Sequence, residues 1–284
     1  WLADGATLSG FTLQGGGTRV STITSGSATN SGGGVWCASQ NAFVTYCTIA
    51  ENSASFQGGG ALGGTLNNCT VVANAAGIQT SYLLPFLPFS PGGGVYNCNL
   101  NNCLVKGNQS GGGGGGAFGG TLNNCTLINN RAGSGSSGGG GGANSSILRN
   151  SILWNNSSGS PGNNNASGGS LQYCCSPSVV SGTGNITNNP LFLADGFHLS
   201  SASPCRGAGS PAFTSGTDLD GQTWTNPPAM GCDEWLPQPV LLSFRLQANS
   251  WGQFDFVSQV AGIESSPGHW FKDGSLLTGS SHYL

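Results

Sequence analysis

The chain repeats one short motif at a spacing too small for an independent domain. The string GGTLNNCT begins at Gly63 and again at Gly119, and weaker copies surround both. Aligned on the central cysteine, successive copies lie 22, 34, 22, 26 and 23 residues apart and place these residues at one position: Cys47, Cys69, Cys103, Cys125, Ser151 and Cys174. A repeat of this length predicts one supersecondary unit stacked on copies of itself, which is a solenoid.

The other columns of the repeat predict strands and turns. Each copy holds one apolar residue three positions before the central cysteine and another two positions after it, such as Leu66 and Val71 around Cys69. Such short stretches are typical of β-strands, and none is long enough for a helix. Stacked coils hold equivalent side chains ~4.8 Å apart, so amides there can hydrogen bond along the stack. We therefore interpret one column as structural, with a ligand-recognising polar ribbon as the alternative: Asn52, Asn74, Asn108, Asn130 and Asn156.

Glycine clusters indicate a third strand in each coil. After each cluster comes a small apolar residue, such as Val35 or Ala61, that suits an inward position, and the next residue then points outward. Three of these outward positions are aromatic: Trp36, Tyr96 and Phe118. Three short strands in each coil describe an all-β fold, a right-handed parallel β-helix, because such crossovers are right-handed.

Composition excludes several classes of function. Only 17 of the 284 residues are charged, and the net charge is −3, which gives no basic footprint for nucleic acid or anionic lipid. No stretch approaches the ~20 apolar residues of a membrane span. The chain opens at Trp1 in mid-pattern, so we expect a mature or truncated piece of a longer protein.

The ten cysteines fall into two groups. Those of the repeat, which we call the ladder cysteines, are expected to act as small buried hydrophobic residues with side chains too parallel to bridge: Cys47, Cys69, Cys103 and Cys125. Cys205 and Cys232 lie beyond the repeat, beside glycine and proline, and we expect them to form a disulfide, which implies an oxidising exterior. Zinc is not expected, because no two close cysteine pairs have ligand spacing and no histidine precedes His198.

Three regions are predicted. Residues 1–190 carry the β-helix repeats, residues 191–236 form a C-terminal cap of the helix, and residues 237–284 form part of an immunoglobulin-like β-sandwich. The boundaries follow the loss of the repeat and the new alternation around Phe254 and Phe256.

The motifs of the repeat resemble those of bacterial surface β-helix proteins of the polymorphic outer-membrane-protein type, which also combine glycine pairs with an Asn-Cys-Thr motif. The segment NPLFLADGFHLSSASPCRGAG, with TDLDGQ and MGCDEW after it, resembles the closing motif of the choice-of-anchor domain. Residues 237–284 resemble an immunoglobulin-like domain cut short. The resemblance implies an exported protein at the bacterial cell surface, and it brings no catalytic residues.

The third and least favoured function is that of an enzyme that cleaves polysaccharides, either a lyase or a glycosidase. Glycoside hydrolysis needs two carboxyl groups facing one cleft, but between Gly5 and Ala194 the chain has only Glu51. We therefore expect no catalytic residues and no required cofactor. Asp218 and Asp220, in the string DLDG, are candidate calcium ligands, with a surface turn closed by glycine as the alternative.

Two candidate contact surfaces remain. A long insertion before Cys103 carries a run of apolar residues, the candidate interface loop: Tyr82, Leu84, Phe86, Leu87 and Phe89. An exposed patch of this kind typically marks a contact site, so we expect a non-enzymatic, extracellular structural or adhesive protein that associates with copies of itself into a fibre or matrix. The alternative is a polysaccharide-binding module in which Trp36, Tyr96 and Phe118 stack on sugar rings.

Overall fold

The computed structural model describes residues 1–19, 29–77, 90–133, 139–159, 164–178 and 181–235, together with four strands between Val240 and Leu276. These belong to two units, Trp1–Trp235 and Leu236–Leu284. In the first unit each coil contributes short parallel strands to four sheets, which we name A to D. Sheets A, B and C follow one another along the chain, and sheet D contains the strands that directly follow the glycine clusters.

Sheets A and B contain the two apolar stretches of each repeat. Sheet A has seven strands: Thr7–Ser9, Phe43–Thr45, Thr65–Asn67, Asn99–Asn101, Thr121–Asn123, Ile147–Arg149 and Ser170–Gln172. Sheet B has six: Thr12–Gln14, Thr48–Ala50, Thr70–Val72, Leu104–Lys106, Thr126–Ile128 and Ile152–Trp154.

Sheets C and D consist of two-residue strands. Sheet C has five: Ser53–Ala54, Ala75–Ala76, Gln109–Ser110, Arg131–Ala132 and Ser157–Ser158. Sheet D has six: Val35–Trp36, Ala61–Leu62, Val95–Tyr96, Ala117–Phe118, Ala143–Asn144 and Ala166–Ser167. The prediction of three strands in each coil is therefore wrong, because sheet C supplies a fourth. Its strands are too short to show any alternation in the sequence.

The core is a set of identical layers. Leu66, Leu100 and Leu122 pair in register along sheet A, and all three are fully buried. Each such side chain contributes roughly 1.5–3 kcal/mol of hydrophobic stabilisation. Ala61, the small residue after its glycine cluster, is also fully buried, as the sequence predicts. A Cβ atom on Gly59 would collide with carbonyl oxygens of Ala75 and Gly93, so this corner of the coil admits only glycine.

The asparagines five positions after the ladder cysteines form a buried amide ladder. The Asn108 side chain donates to the Val71 carbonyl (3.0 Å) and to Asn130 Oδ1 (2.9 Å), and its own Oδ1 accepts from the backbone N–H (2.9 Å) and the side chain (3.0 Å) of Asn74. Both donors and both lone pairs of the amide are thus used. Asn52 is the first residue of the ladder. At the other end the amide of Asn156 donates to Asn165, which takes the place of the asparagine of a further coil.

The ladder cysteines line up inside the same stack as buried free thiols. The backbone N–H of Cys69 points to the sulfur of Cys103 (3.4 Å), and that thiol donates to the Asn101 carbonyl (3.1 Å). Ser151 takes the same role with its hydroxyl, which accepts from the N–H of Cys125 (3.2 Å). The thiols therefore serve as hydrogen-bonding groups of the stack as well as core side chains.

The second unit is described as backbone strands only. Val240–Ala248 pairs antiparallel with Phe254–Ala261, with an irregularity between Leu241 and Ser243, and Phe271–Lys272 pairs antiparallel with Ser275–Leu276. The immunoglobulin-like assignment of residues 237–284 stays a prediction.

Candidate functional site

The cap runs along the side of the helix as well as over its last coil. Four of the six ladder positions are preceded by an asparagine with a left-handed backbone, and φ lies between 47° and 57° at Asn68, Asn102, Asn124 and Asn150. Such a residue turns the chain from sheet A to sheet B and directs its amide outward. These amides hold the cap, and we call the column the docking asparagines.

The cap meets the docking asparagines at backbone atoms. Asn150 donates to the Ser210 carbonyl and accepts from the Ser210 N–H, both at 2.8 Å. Asn102 donates to the Ser215 carbonyl (2.8 Å), and Asn68 donates to the Thr217 carbonyl (3.0 Å). The cap segment around Pro211–Phe213, a short 3-10 helix, thus follows the column across several coils. The sequence shows the column, but nothing in it signals this partner.

The cap concentrates the acidic residues, and His198 lies between two of them. Its Nδ1 is 2.6 Å from an Asp195 oxygen, and its Nε2 is 2.6 Å from an Asp220 oxygen. Burial of the ring opposes charging, but the hydrogen bonds to both carboxylates more than offset this, so the pKa of His198 is raised. The His198 ring therefore joins the Asp195 and Asp220 turns through both of its nitrogens.

Three further carboxylates hold the cap's own backbone. Asp218 accepts from the N–H groups of Asp220, Gln222 and Glu234, and Glu234 in turn accepts from Ala229 (2.9 Å). Asp233 accepts from the Leu199 N–H at 2.7 Å. Burial raises the pKa of Asp233 to about 6 and also raises the pKa values of Asp218 and Glu234.

One group in the described part of the chain has metal-ligand geometry. Ligand atoms of His198, Asp220 and Asp233 all lie within 4.8 Å of one another. However, both ring nitrogens already bond carboxylates, and Asp233 bonds a backbone N–H. Asp218, the other calcium candidate, has its carboxylate engaged by three backbone N–H groups. The geometry fits a self-contained turn network, so we assign no metal ligand here.

Glu51, the one carboxylate between Gly5 and Ala194, bonds to an amide side chain. It occupies a left-handed corner (φ 54°) on the surface and accepts from the Gln14 side chain at 2.8 Å. It is not part of the His198 group, which is the only cluster of three or more potential metal-binding side chains among the described residues.

The predicted outward aromatic residues all lie on sheet D and are half-buried. Tyr96 and Phe118 stack on each other, with ring centroids 5.4 Å apart and planes only 7° apart. Trp36 stacks on Trp1, at 6.1 Å and 28°. Each of these rings therefore has one face covered by its partner. A sugar ring needs an open face, so this geometry favours packing over the glycan-stacking role predicted for Trp36, Tyr96 and Phe118.

A hollow of about 370 Å³ lies where sheet B meets the cap. Trp154 and Phe192 form apolar walls, and the exposed asparagines Asn129, Asn155 and Asn189 surround them. The sequence gives no signal for this hollow, because Trp154 occupies an ordinary outward position of sheet B and Phe192 belongs to another region of the chain.

The predicted Cys205–Cys232 disulfide is wrong, because the two buried thiols pack in different clusters. Cys232 packs against Leu104 and Ile128 on sheet B, whereas Cys205 packs in a different cluster with Ile152 and Cys175. Proximity to glycine and proline in the sequence did not reveal that the two cysteines face different parts of the helix.

The other predicted contact surface, the candidate interface loop, lies within residues 78–89 and so outside the described residues.

Stacked coils, a repeated apolar core and continuous side-chain ladders define the class of right-handed parallel β-helix proteins. The family model for the right-handed β-helix region matches residues 4–152, which is more than half of the chain, and the chain belongs to this family. No curated protein and no solved structure matches it. Within the described residues, none of the helical segments has the length and apolar character needed to cross a bilayer.

Proposed function

We propose that this protein is a non-enzymatic structural or adhesive β-helix of the bacterial cell surface or extracellular matrix, and that copies of it associate through the first coils. Exposed large apolar side chains carry this proposal. Four of the seven in the described residues lie within residues 1–46: Trp1, Phe11, Phe43 and Tyr46. Apolar groups concentrated at one end of a folded surface typically mark a protein contact.

Two of these residues break the column in which they lie. Phe43 is an outward residue of sheet A, and its register partner in the next coil is Thr65. Tyr46 precedes a ladder cysteine and has a left-handed backbone (φ 51°), like the docking asparagines, but it is 60% exposed. The fold therefore accepts threonine and asparagine at these positions, and self-association gives a reason for the aromatic residues.

The chemistry of the charged groups supports a non-catalytic role. The described carboxylates of the cap bond to backbone N–H groups or to His198, and Glu51 bonds to Gln14. Such groups stabilise turns, whereas hydrolysis needs one carboxyl group as an acid and a second as a nucleophile or base.

The test is the oligomeric state of the whole chain, measured by light scattering and electron microscopy. We expect assemblies that grow with concentration, and we expect the double variant Phe43→Thr/Tyr46→Asn to reduce the assembled fraction at least tenfold with an unchanged circular dichroism spectrum. Ile147→Thr is the matched control, because Ile147 lies in the same outward column of sheet A and is similarly exposed. A monomeric wild type, or equal assembly of both variants, would refute association through this surface.

A second candidate, polysaccharide binding, is favoured by the hollow beside Trp154. An aromatic wall surrounded by amides suits a neutral sugar, because rings cover apolar sugar faces and amides bond hydroxyl groups. Asn129 and Asn155 have left-handed backbones, so Asn129→Gly/Asn155→Gly removes both amides without backbone strain. Loss of binding to an immobilised polysaccharide panel in this variant, with retention in the Phe43→Thr/Tyr46→Asn variant, supports this function, and no binding by the wild type excludes it.

A further inference from the structure

The last coil carries two adjacent cysteines that face opposite ways. Cys174 belongs to the main core with the ladder cysteines, whereas Cys175 belongs to the separate cluster between the helix and the cap. Successive side chains of extended backbone point to opposite faces, which explains the division. Cys175 is fully buried there and donates to the Asn188 carbonyl at 3.2 Å.

Cys205 enters this cluster from the cap. Its side chain is fully buried in the same cluster as Cys175, and its thiol interacts with the Cys175 side chain. Its carbonyl accepts from the Met230 N–H at 2.9 Å, while the backbone of Cys175 is held by bridges to Ile152 and Ile186. Both backbones are thus fixed around two thiols that meet from different segments of the chain.

The ladder cysteines offer a contrast. They lie on successive parallel coils with side chains aligned in one direction, a geometry that opposes bridging. Their sulfurs also accept backbone N–H groups from the neighbouring coil, as Cys103 does from Cys69. Cys175 and Cys205 have neither constraint, since they belong to segments that approach each other.

We propose that Cys175 and Cys205 form a disulfide that joins the cap to the last coil of the helix. The oxidant is a disulfide such as oxidised glutathione or an oxidised thiol oxidoreductase. The S–S bond of the oxidant breaks, the Cys175–Cys205 bond forms, and the two electrons and two protons of the thiols leave on the two reduced thiols of the oxidant. This inference does not depend on the proposed function.

Folding and oxidation must be coupled in time. The thiolate is the reactive form in disulfide exchange, and the interaction with the Cys175 side chain together with burial holds the pKa of Cys205 well above its usual range. The folded, reduced protein is therefore a poor substrate, and the bond forms while the cap is docking.

The experiment is refolding of the whole chain with and without oxidised glutathione, followed by alkylation of the denatured, unreduced protein and peptide mass spectrometry. We expect a cross-linked peptide that contains Cys205, its loss in Cys175→Ser, and its retention in Cys174→Ser and Cys232→Ser. The oxidised wild type should also melt roughly 5 °C or more above the reduced form, with no difference for Cys205→Ser. Ten alkylated cysteines after oxidative refolding, or a cross-link between any other pair, would overturn the assignment, and this wild-type result stands even if a variant does not fold.

Discussion

The buried amide ladder supports a quantitative prediction at Asn108. Replacing Asn108 with alanine removes four hydrogen bonds, two that its side chain donates and two that it accepts. A net loss of about 1 kcal/mol for each bond gives a destabilisation of about 4 kcal/mol, and buried groups left without partners raise it further. Both neighbouring coils are affected, because Asn108 bonds to Asn74 and Asn130.

Asn101 provides the matched control within the same coil. It also belongs to a row of amides, since it donates to Asn67 (2.9 Å) and accepts from Asn123 (3.0 Å), but this row lies on the outer face of sheet A. Groups that reach water lose little when a partner is removed, so we expect Asn101→Ala to cost less than about 1 kcal/mol. Because both variants replace an asparagine of the same coil with alanine, a difference in their stability reports the effect of burial and not of residue type.

Urea unfolding followed by circular dichroism measures both variants against the wild type. We expect a clear decrease of the midpoint for Asn108→Ala, with Asn108→Asp at least as severe, because its carboxylate would face the acceptor oxygens of Val71 and Asn130. Equal midpoints for the Asn108 and Asn101 variants would refute the view that the ladder stabilises the stack. A solenoid can lose cooperativity when one interface fails, so a second transition for Asn108→Ala would agree with the argument.

Three further predictions concern the cap. Burial raises the pKa of Asp233 from 3.8 to about 6, so the folded state keeps a proton that the unfolded state releases, and stability falls by about 1–3 kcal/mol as pH rises from 4 to 6. His198, whose pKa is raised above 6.5, adds a further loss of stability as pH rises through its folded pKa. Melting temperatures measured across pH should show both losses, and Asp233→Asn should abolish the loss between pH 4 and 6. A melting temperature that does not change with pH would contradict the network. Asn150→Gly keeps the left-handed backbone but removes two bonds to Ser210, so hydrogen exchange of the cap should accelerate about tenfold or more, and unchanged protection would contradict docking by this residue. Because Asp218 is occupied by backbone N–H groups, EDTA and calcium should leave the melting temperature unchanged, and a calcium-dependent increase of several degrees would contradict this assignment.

The sequence predicts those features that every coil must repeat. Stacked coils bury the same positions, so the inward leucines and the asparagine of the amide ladder recur in fixed columns and can be read without coordinates. Leu100 and Asn108, for example, lie in the structure where their columns place them. The sheet C strands escaped notice because two residues carry no periodic signal.

Contacts made only once could not be predicted in this way. The docking of Ser210 on Asn150, the position of His198 between Asp195 and Asp220, and the meeting of Cys205 with Cys175 all join segments that share no repeat. Composition near a cysteine therefore suggested the wrong pairing. Only the path of the cap, which depends on tertiary packing, decides which groups meet.

The residues that break a column indicate where function can reside. In a stack with a spacing of ~4.8 Å, a charged or bulky side chain that recurred in every coil would meet its own copies, which favours amides, hydroxyls and glycine along the sides. Phe43 and Tyr46 are followed in the next coil by Thr65 and Asn68, so smaller polar residues fit at these two positions. Trp154 is a large aromatic residue on sheet B, in the column that also contains Lys106 and Ile128. Since stacking accounts for the regular positions, binding to another copy or to a polysaccharide is best sought at these irregular ones.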